Sequence, residues 1–329
     1  MTTAESQPST GQHHLVAGGG GFVGSHLVDL FIARGDTATI VDNFCTGRRS
    51  NIAHLVGDSR VSVIEHDITT PLPASITAGR YDTVLDLASP ASPDDFKTMP
   101  LEILAVGSTG TRNLLDLARE QNARFFLAST SEVYGDPLVH PQPESYWGNV
   151  SSIGPRSCYD EAKRFSEAIT MAYHRTHGVD VRIVRIFNTY GERMRPRDGR
   201  VVNTFVLQAL RNEPVTLHGD GLQTRSFCHV ADEIRGLVAV LDGDLVGPAN
   251  VGNPGEFTMR ELAELVVELT GSSSEIITMP MPDEREGDPM QRCPDITLVR
   301  EAYGWQPSIS LREGLTRMIE FFRTKEDLT

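Results

Sequence analysis

The chain has 329 residues, which at roughly 150 residues per domain corresponds to about two domains and is enough to bury a core without disulfide or metal cross-links. Hydrophobic residues make up 39% of the sequence and charged residues 22%, as in folded globular proteins and unlike disordered, collagen-like or coiled-coil sequences. The formal net charge is -14 at pH 7, so the composition argues against nucleic acid and an anionic membrane as partners.

The four cysteines, Cys45, Cys158, Cys228 and Cys293, are far apart and form no CxxC pair. We therefore expect neither a disulfide framework nor a metal site. No run of about 18 apolar residues occurs, and residues 1–11 lack the basic and apolar regions of a signal peptide. These features predict a cytoplasmic protein without a membrane span, preceded by a disordered tail at residues 1–12.

From residue 13 onward, short apolar runs alternate with amphipathic stretches, which predicts an α/β fold. The expected strands are residues 15–17, 38–41, 61–65, 83–87, 124–129 and 181–186. We expect residues 13–187 to form a Rossmann-like domain, a doubly wound parallel sheet with helices on both faces. Helices expected at residues 204–211, 258–269 and 311–322 predict a smaller C-terminal substrate-binding lobe within residues 188–329, with some of its segments returning to the sheet.

The first expected strand leads through a glycine-rich turn into a helix. Gly18, Gly21 and Gly24 would allow a tight turn and let a pyrophosphate approach the backbone at the start of that helix. The second strand ends at Asp42, where a carboxylate binds ribose hydroxyls and repels a 2′-phosphate. This pattern predicts NAD in preference to NADP, although Arg48 and Arg49 follow closely. The alternative is a glycine-rich surface loop without a ligand.

Tyr159 and Lys163 lie four residues apart at the start of an amphipathic stretch. This spacing places the phenol and the ammonium on one helix face, where we expect the cation to lower the phenol pKa and make Tyr159 a base near neutral pH. The alternative for this common pattern is a solvated tyrosine and lysine. Thr130, Ser131 and Glu132 follow the fifth expected strand, so they lie at the carboxyl edge of the sheet, where α/β folds bind ligands.

Taken together, these patterns resemble the extended short-chain dehydrogenase/reductase superfamily of nucleotide-sugar enzymes and, within it, the UDP-glucuronate decarboxylases. The resemblance covers about residues 14–323. Its most specific segments are residues 41–48, 86–93, 129–137, 146–148, 153–156, 185–191, 198–202 and 223–227.

The resemblance implies a role for individual residues. Thr130, Tyr159 and Lys163 would form the oxidoreductase triad, and Glu132 would be the decarboxylase acid/base. The residues expected to bind NAD are Gly18, Gly21, Phe22, Val23, Gly24, Asp42, Asn43, Asp67, Ile68, Leu87, Ala88, Ser89, Tyr159, Lys163 and Ile186. Those expected to bind the UDP-sugar are Pro90, Ser131, Glu132, Asn188, Arg200, Val202, Thr204, His218, Arg225 and Arg292.

Charge supports an anionic substrate of this kind. A UDP-glucuronate molecule carries two phosphates and a carboxylate, so an acidic protein must supply cations locally. The candidates are Arg193, Arg195, Arg197, Arg200, Arg225 and Arg292, and we expect about half of them to be solvated instead. The implied reaction is NAD-dependent decarboxylation through a 4-keto sugar to UDP-xylose, with some release of UDP-4-keto-xylose.

Three alternatives stay open at this point. A nucleotide-sugar 4,6-dehydratase is disfavoured because relatives of that kind carry an aspartate where this chain has Ser131, and a serine is a poor acid for a leaving hydroxyl. A 4-epimerase usually lacks the glutamate at position 132. From another class, the chain could be a non-catalytic, redox-sensing NAD-binding module, which an intact triad disfavours.

Four positions depart from the pattern of this family: Phe96, Gly107, Glu192 and His218. At Gly107 most relatives have an asparagine, and we expect its loss to affect a water path or a helix bend behind the active site. Relatives also pair through helices corresponding to residues 101–119 and 159–177. The resemblance therefore implies a homodimer.

Overall fold

Seven parallel strands form the central sheet of the computed structural model, which describes residues 11–280 and 291–325. Six of them are β1 (His13–Ala17), β2 (Thr37–Asp42), β3 (Val61–Glu65), β4 (Thr83–Asp86), β5 (Arg124–Thr130) and β6 (Val181–Ile186). All six were expected from the sequence, with ends that differ by at most two residues. The sheet has the order β3-β2-β1-β4-β5-β6 and continues beyond β6 with a seventh strand. The direction of winding reverses between β1 and β4, and ligands of such sheets bind outside the carboxyl ends of the strands at this point.

The helices are distributed over both faces of the sheet and the second lobe. They are α1 (Phe22–Ala33), α2 (Ala74–Thr77), α3 (Pro93–Thr98), α4 (Pro100–Ala105), α5 (Thr111–Gln121), α6 (Ser157–His177), α7 (Val201–Leu210), α8 (Val230–Asp242), α9 (Met259–Thr270), α10 (Thr297–Tyr303) and α11 (Leu311–Lys325). Short 3-10 helices occur at Arg49–Leu55 and Ser131–Tyr134. None of the helices in the described ranges combines the length and the apolar character needed to cross a bilayer.

Two apolar layers cover the sheet. Phe31 from α1 and Val238 from α8 pack on one face, while Leu114 from α5 packs with Phe125 and Val181 on the other. The periodic apolar positions of each helix point to the sheet because this burial removes apolar area from water. The doubly wound α/β fold predicted from the sequence is confirmed.

The seventh strand of the sheet comes from the second half of the chain. It is β11 (Pro248–Val251), which pairs with β6 in parallel, with Ala249 beside Val184. The helix before it, α8, also packs on the sheet. Residues well beyond 188 thus complete the first lobe.

The second lobe packs α7, α9 and α11 around Phe205, Leu262 and Met318. Three two-stranded sheets accompany these helices: β7 (Thr189–Tyr190) with β10 (Cys228–His229), β8 (Val215–His218) with β13 (Ile276–Met279), and β9 (Thr224–Ser226) with β12 (Glu256–Thr258). The helices predicted at residues 204–211, 258–269 and 311–322 are present as α7, α9 and α11, with shifted ends.

The predicted tail at residues 1–12 falls mostly on residues 1–10, which lie outside the described residues. The backbone carbonyl of Gln12 already accepts a hydrogen bond from the Thr37 amide at 2.9 Å, so Gln12 pairs with the start of β2.

The helix expected at residues 101–119 lies within a continuous helical stretch, which contains a π-helical segment, Val106–Gly110, between α4 and α5. Gly107 lies in this segment, and a Cβ atom there would be 2.8 Å from the Ala162 Cβ atom of α6. The Ser166 hydroxyl also donates to the Gly107 carbonyl at 2.7 Å. Glycine therefore lets α6 approach this segment closely, at a place where an asparagine would force the two apart.

Candidate active site

The turn between β1 and α1 requires glycine at two positions. Gly18 has φ +81°, and a Cβ atom there would be 2.7 Å from the Leu87 backbone carbon at the end of β4. At Gly24 a Cβ atom would be 2.2 Å from the Gly18 carbonyl oxygen. Only glycine permits this close approach, and it leaves the amide groups at the start of α1 accessible to a pyrophosphate. Gly21, which precedes α1, lies in the same cradle.

Asp42 closes the other side of this cradle at the end of β2. Its carboxylate accepts hydrogen bonds from the amides of Gly20 at 2.9 Å and Phe44 at 2.7 Å. Burial raises the pKa of Asp42, and these two amides oppose the shift. Arg49 forms an ion pair with Glu65 and lies over the Phe44 ring at 4.2 Å. Arg49 is therefore paired with Glu65, and the Asp42 carboxylate is the acidic group that the structure places beside the glycine turn.

Other residues expected to bind a dinucleotide surround the same cradle. The Asn43 side chain donates to Asp67 at 3.3 Å. Burial would raise the pKa of Asp67, but hydrogen bonds from Thr69 and Asn43 lower it overall. The Ile68 side chain is buried in the core, and its carbonyl accepts from Asn113 at 2.8 Å. The Ile68 side chain is thus not available to a ligand.

A cavity of about 310 Å³ lies between the carboxyl ends of the strands and the second lobe, a size typical of small-molecule sites. It brings together most of the residues singled out in the sequence: Phe22, Val23, Leu87, Ser89, Thr130, Ser131, Glu132, Tyr159, Lys163, Ile186, Asn188, Arg200, Val202, Thr204, His218, Arg225 and Arg292. Nine expected residues do not line it: Gly18, Gly21, Gly24, Asp42, Asn43, Asp67, Ile68, Ala88 and Pro90. Most of those nine belong to the adjoining cradle.

Tyr159, Lys163 and Thr130 meet at one end of this cavity. Tyr159 and Lys163 share one face of α6, and the ammonium of Lys163 donates to the Ala128 carbonyl at 2.8 Å. The Phe96 ring is stacked on the Tyr159 ring with centroids 4.9 Å apart. This stacking fixes the plane of the phenol.

The sequence predicted that Lys163 lowers the pKa of Tyr159. The groups of the chain itself raise this pKa instead, so the prediction is wrong. Burial and then the charge of Glu132 raise the pKa of Tyr159 to about 12, against the opposing effects of Arg200 and Thr130. Burial also lowers the pKa of Lys163, while nearby Asp86 opposes that shift. The phenol is therefore protonated at neutral pH unless a further positive charge lies beside it.

Two arginines hold Glu132. Arg292 donates to both carboxylate oxygens, at 2.8 Å for the longer contact, and Arg156 donates to one at 2.6 Å. Burial would raise the pKa of Glu132, but the charges of Arg292 and Arg156 lower it to about 2. Glu132 is thus ionised across the physiological range and is a poor proton donor in this arrangement.

Asp160 is a buried carboxyl group next to this cluster. It is 6% exposed, and one of its carboxylate oxygens has no hydrogen-bond partner. Burial and the charge of Glu132 raise the pKa of Asp160 to about 7, although Arg156 and Arg292 oppose the shift. Ionisation of a second carboxyl group beside an ionised one is unfavourable because the two negative charges repel each other. Asp160 therefore keeps its proton to higher pH.

The Asp160→Asn substitution is expected to reduce the pH dependence of stability. The folded-state pKa of about 7 exceeds the ordinary value of 3.8, so Asp160 favours the folded state at acidic pH and this contribution is lost as pH rises toward 7. The variant should therefore gain Tm relative to the wild type at pH 8 more than at pH 4. Thermal unfolding at both pH values measures this, with the exposed Asp136→Asn as control. Parallel pH profiles of Asp160→Asn and wild type would contradict the assignment.

The other end of the cavity belongs to the second lobe. The Asn188 side chain donates to the Ser226 carbonyl at 3.3 Å, and Arg225 donates to the Thr224 carbonyl at 2.8 Å. The His218 ring nitrogen lies 3.4 Å from the Pro280 carbonyl. Val202 and Thr204 lie in the first turns of α7 and reach the same space.

Five of the six arginines considered in the sequence fall into two groups, and the sixth, Arg197, is exposed and does not line the cavity. Arg200, Arg225 and Arg292 line the cavity. Arg193 instead pairs with Asp29 on α1 at 2.5 Å, and Arg195 pairs with Asp95 at 2.8 Å. Arg193 and Arg195 therefore join parts of the fold rather than being solvated.

The pair of Arg195 and Asp95 is part of a clasp, formed by Ser92, Asp95, Arg195 and Arg200, across the edge of the cavity. Arg195 donates to both carboxylate oxygens of Asp95, at 2.8 and 2.9 Å, and to the Ser92 hydroxyl at 3.0 Å. Arg200 donates to the Ala91 carbonyl at 2.9 Å. These bonds tie the segment before α7 to the segment around α3, and residues of both segments line the cavity.

The remaining departures from the family pattern have visible contacts. Phe96 stacks on Tyr159 without a hydroxyl group. Glu192 lies 3.3 Å from the His229 ring, and its carbonyl accepts from His26 on α1 at 3.0 Å. Glu192 thus connects the second lobe to the first helix of the sheet.

Arg156 is the main residue of the site to which no sequence pattern assigned a role. It precedes α6, one helical turn before Tyr159, and its guanidinium binds Glu132. The sequence feature that could have indicated Arg156 is its position at the end of the segment 153–156, shortly before the predicted base Tyr159. An arginine one turn before that residue lies on the same side of the helix.

Comparisons with known proteins agree with this geometry. The sequence model of the family described as GDP-mannose 4,6 dehydratase matches residues 15–318. UDP-glucuronic acid decarboxylase 1 of Arabidopsis thaliana is 53% identical over 311 residues, covering 94% of this chain and 70% of that protein. UDP-glucuronic acid decarboxylase 1 of Danio rerio is 47% identical over 308 residues, covering 94% and 72%.

Solved structures are similar over nearly the whole chain. The UDP-glucuronic acid 4-epimerase of Bacillus cereus, in complex with UDP-glucuronic acid and NAD, has a TM-score of 0.85 and 26% identity, covering 94% of this chain and 99% of that one. The dTDP-glucose 4,6-dehydratase of Streptomyces venezuelae, with NAD bound, has a TM-score of 0.84 and 29% identity, covering 95% and 97%.

Proposed function

The chain belongs to the UDP-glucuronic acid decarboxylase family, and from this premise we propose that it catalyses the NAD-dependent decarboxylation of UDP-glucuronate to UDP-xylose. The observation that carries the proposal is the convergence of Thr130, Glu132, Tyr159 and Lys163 on one cavity. Four arginines, Arg156, Arg200, Arg225 and Arg292, line the same cavity. They supply positive charge for a substrate with a diphosphate and a carboxylate.

The glycine cradle and Asp42 fit NAD. The space that Cβ atoms would fill at Gly18 and Gly24 allows the pyrophosphate to approach the start of α1. The carboxylate of Asp42 is suited to the ribose hydroxyls, and Arg49 is occupied by Glu65. When bound, NAD supplies the hydride acceptor and donor, and the positive charge of its nicotinamide ring favours the phenolate of Tyr159.

The chain's own groups manage the proton at the sugar C4 oxygen. Tyr159 accepts the hydroxyl proton while C4 loses its hydride, and C4 becomes a ketone. Thr130 and Tyr159 then donate hydrogen bonds to this oxygen. The ketone is β to the carboxylate on C5, so the C5–carboxylate bond breaks, carbon dioxide leaves, and the electron pair passes into an enolate that these two donors stabilise.

Glu132 serves the decarboxylation and the protonation of C5. Because Arg156 and Arg292 keep it ionised, its role is to orient a water molecule toward C5 rather than to give up its own proton. The C4 ketone then receives the hydride back and a proton from Tyr159, which gives UDP-xylose with no net redox change. Some UDP-4-keto-xylose would escape before this last step.

Ser131 separates this reaction from dehydration. Ser131 lines the cavity beside Glu132, at the position where a 4,6-dehydratase needs an acid to protonate the leaving hydroxyl. The proposal therefore favours loss of carbon dioxide over loss of water.

Incubation of the purified protein with UDP-glucuronate and NAD tests this function directly. Mass spectrometry of the products is expected to detect UDP-xylose, whose mass is lower than that of the substrate by one carbon dioxide. A product that has lost water would indicate a dehydratase instead. A product of unchanged mass and altered chromatographic retention would indicate an epimerase, and bound NAD without any product would indicate a binding module.

The Asp95→Asn substitution is expected to raise the KM for UDP-glucuronate about tenfold with little change in kcat, because a charge-assisted contact to Arg195 in the clasp is lost. Asparagine keeps the size of the side chain. Steady-state kinetics measures the effect. Asp58→Asn, which removes an exposed pair with Arg60, is the control. A change in kcat alone would contradict a role for the clasp in holding the substrate.

We also propose that the chain forms a homodimer through α4 and α6. Leu101 is 74% exposed, and Leu104 and Phe165 are 40% and 48% exposed. Because α4 packs against α6, these side chains offer an apolar surface of the kind that marks an interface. Cytoplasmic location is part of the same proposal, since all four cysteines are unpaired.

The double substitution Leu101→Glu and Phe165→Glu is expected to convert the dimer to a monomer, because two charges would be buried in the interface. Light scattering measures the mass. Leu222→Glu, which changes an exposed leucine in the second lobe, should leave the dimer intact. A monomeric wild type would refute the proposed interface.

A further inference from the structure

A histidine, a glutamate and a cysteine, which are all side chains that can bind metal ions, meet outside the cavity. His140 lies in the segment between β5 and α6, Glu256 begins β12, and Cys293 precedes α10. Within the ranges that the structure describes, they form the only such group, and their nitrogen, oxygen and sulfur atoms all lie within 4.8 Å of one another. The His140 ring nitrogen is 2.9 Å from a Glu256 carboxylate oxygen.

The chemistry of this group selects among metal ions. Imidazole, thiolate and carboxylate together are typical ligands of Zn²⁺, whereas Mg²⁺ and Ca²⁺ prefer oxygen atoms alone. Tetrahedral zinc places its ligand atoms about 3.5 Å apart. The longest separation, up to 4.8 Å, therefore has to shorten by about an ångström, while the His140 and Glu256 atoms, now 2.9 Å apart, have to move slightly apart. Three protein ligands would leave the fourth position for water.

Neighbouring contacts hold these ligands in place. The Cys293 amide donates to the Gln142 side chain at 2.9 Å, and the Gln142 amide donates to the Cys293 carbonyl at 2.9 Å. The Thr224 hydroxyl donates to one oxygen of Glu256 at 2.8 Å, which leaves the oxygen near His140 for an ion. Such outer contacts orient ligands in metal sites. The side chains of His140 and Glu256 are 32% and 29% exposed, which gives an ion access from solvent.

We propose that His140, Glu256 and Cys293 bind one Zn²⁺ ion and that this ion fixes the segment carrying Arg292. Arg292 directly precedes Cys293, and its carbonyl accepts a hydrogen bond from the Ser226 hydroxyl at 3.3 Å. Ser226 in turn pairs with Glu256 in the β9–β12 sheet. The ion thus joins the three segments that carry His140, Glu256 and Cys293, and the last of these also carries Arg292, which holds Glu132. Zn²⁺ binding itself does not depend on the proposed function. Only the benefit of a fixed Arg292 for the reaction rests on it.

Metal titration of the untagged full chain, stripped with a chelator, tests the site. The wild type is expected to take up one equivalent of Zn²⁺ in competition with a chromophoric chelator, and Co²⁺ is expected to produce a thiolate-to-cobalt absorption band. Cys293→Ser and His140→Ala should weaken Zn²⁺ binding by more than about 100-fold and remove the band. Thr224→Val should weaken binding about tenfold, because it removes only the contact that orients Glu256.

Cys45→Ser is the matched control, since Cys45 is an exposed cysteine outside the group, and it should keep both binding and the absorption band. Zn²⁺ should also raise the Tm of the wild type but not that of Cys293→Ser, which separates loss of the site from failure to fold. Equal binding by wild type and Cys293→Ser, a cobalt spectrum without the sulfur band, or no uptake by the wild type would overturn the proposal. Uptake is measured without substrate, so its result is separate from the proposed decarboxylation.

Discussion

Replacing Tyr159 with phenylalanine is expected to lower the kcat for carbon dioxide release by about 10³-fold, because the group that accepts the C4 hydroxyl proton is removed. The loss should occur at the first step, so no 4-keto sugar should form. The ring stacked against Phe96 is kept, with centroids 4.9 Å apart in the wild type. NAD binding and Tm should therefore change little.

Carbon dioxide release and product mass measure the activity, and a fluorescence titration measures NAD binding. Tyr173→Phe is the control, because Tyr173 is also on α6 but donates to Asp116 at 2.9 Å and does not line the cavity. Turnover of Tyr159→Phe near the wild-type rate would remove Tyr159 from the proposed mechanism. Loss of NAD binding together with activity would instead assign the residue to the cofactor site.

The Glu132→Gln substitution is expected to slow decarboxylation by about 100-fold and to affect C4 oxidation less. Glutamine keeps the size of the side chain but cannot carry the charge that orients water near C5. It also leaves Arg156 and Arg292 without a counter-charge, and breaking a buried ion pair of this kind costs about 3–5 kcal/mol of folding free energy. A lower Tm should accompany the kinetic effect.

Single-turnover measurements separate the two steps, since reduced nicotinamide reports C4 oxidation and the appearance of the decarboxylated UDP-sugar reports decarboxylation through the protonation of C5. Glu161→Gln is the matched control, because Glu161 is a half-exposed glutamate on α6 near Arg164. If both steps slow equally in Glu132→Gln, the glutamate has no special part in decarboxylation. A normal rate with a lowered Tm would reduce Glu132 to a structural partner of the two arginines.

Local patterns in the sequence predicted the features that depend on neighbouring residues. Six strands follow from short apolar runs, and the cradle follows from the spacing of Gly18, Gly24 and Asp42, which the backbone geometry requires. Thr130, Glu132, Tyr159 and Lys163 line one cavity, as the carboxyl edge of a parallel sheet suggests. Their assigned roles stay predictions.

Features that depend on distant partners were not visible. Arg195 pairs with Asp95 across 100 residues, and Arg292 binds Glu132 across 160, so no spacing rule connects them. The pKa of Tyr159 depends on burial and on Glu132, neither of which appears in the spacing from Lys163. The meeting of Cys293 with His140 and Glu256 was not visible for the same reason, since the three residues are remote in the chain.

The strand β11 has a consequence for folding during synthesis. When residues 13–187 have left the ribosome, β6 is the last strand and its outer edge has no partner until residues 248–251 follow. An open strand edge is a template for pairing with other chains. The nascent first lobe is therefore exposed to misassembly while about sixty further residues are translated, which at roughly 5–20 residues per second lasts several seconds. A chain truncated after residue 187 would keep this edge permanently and should aggregate.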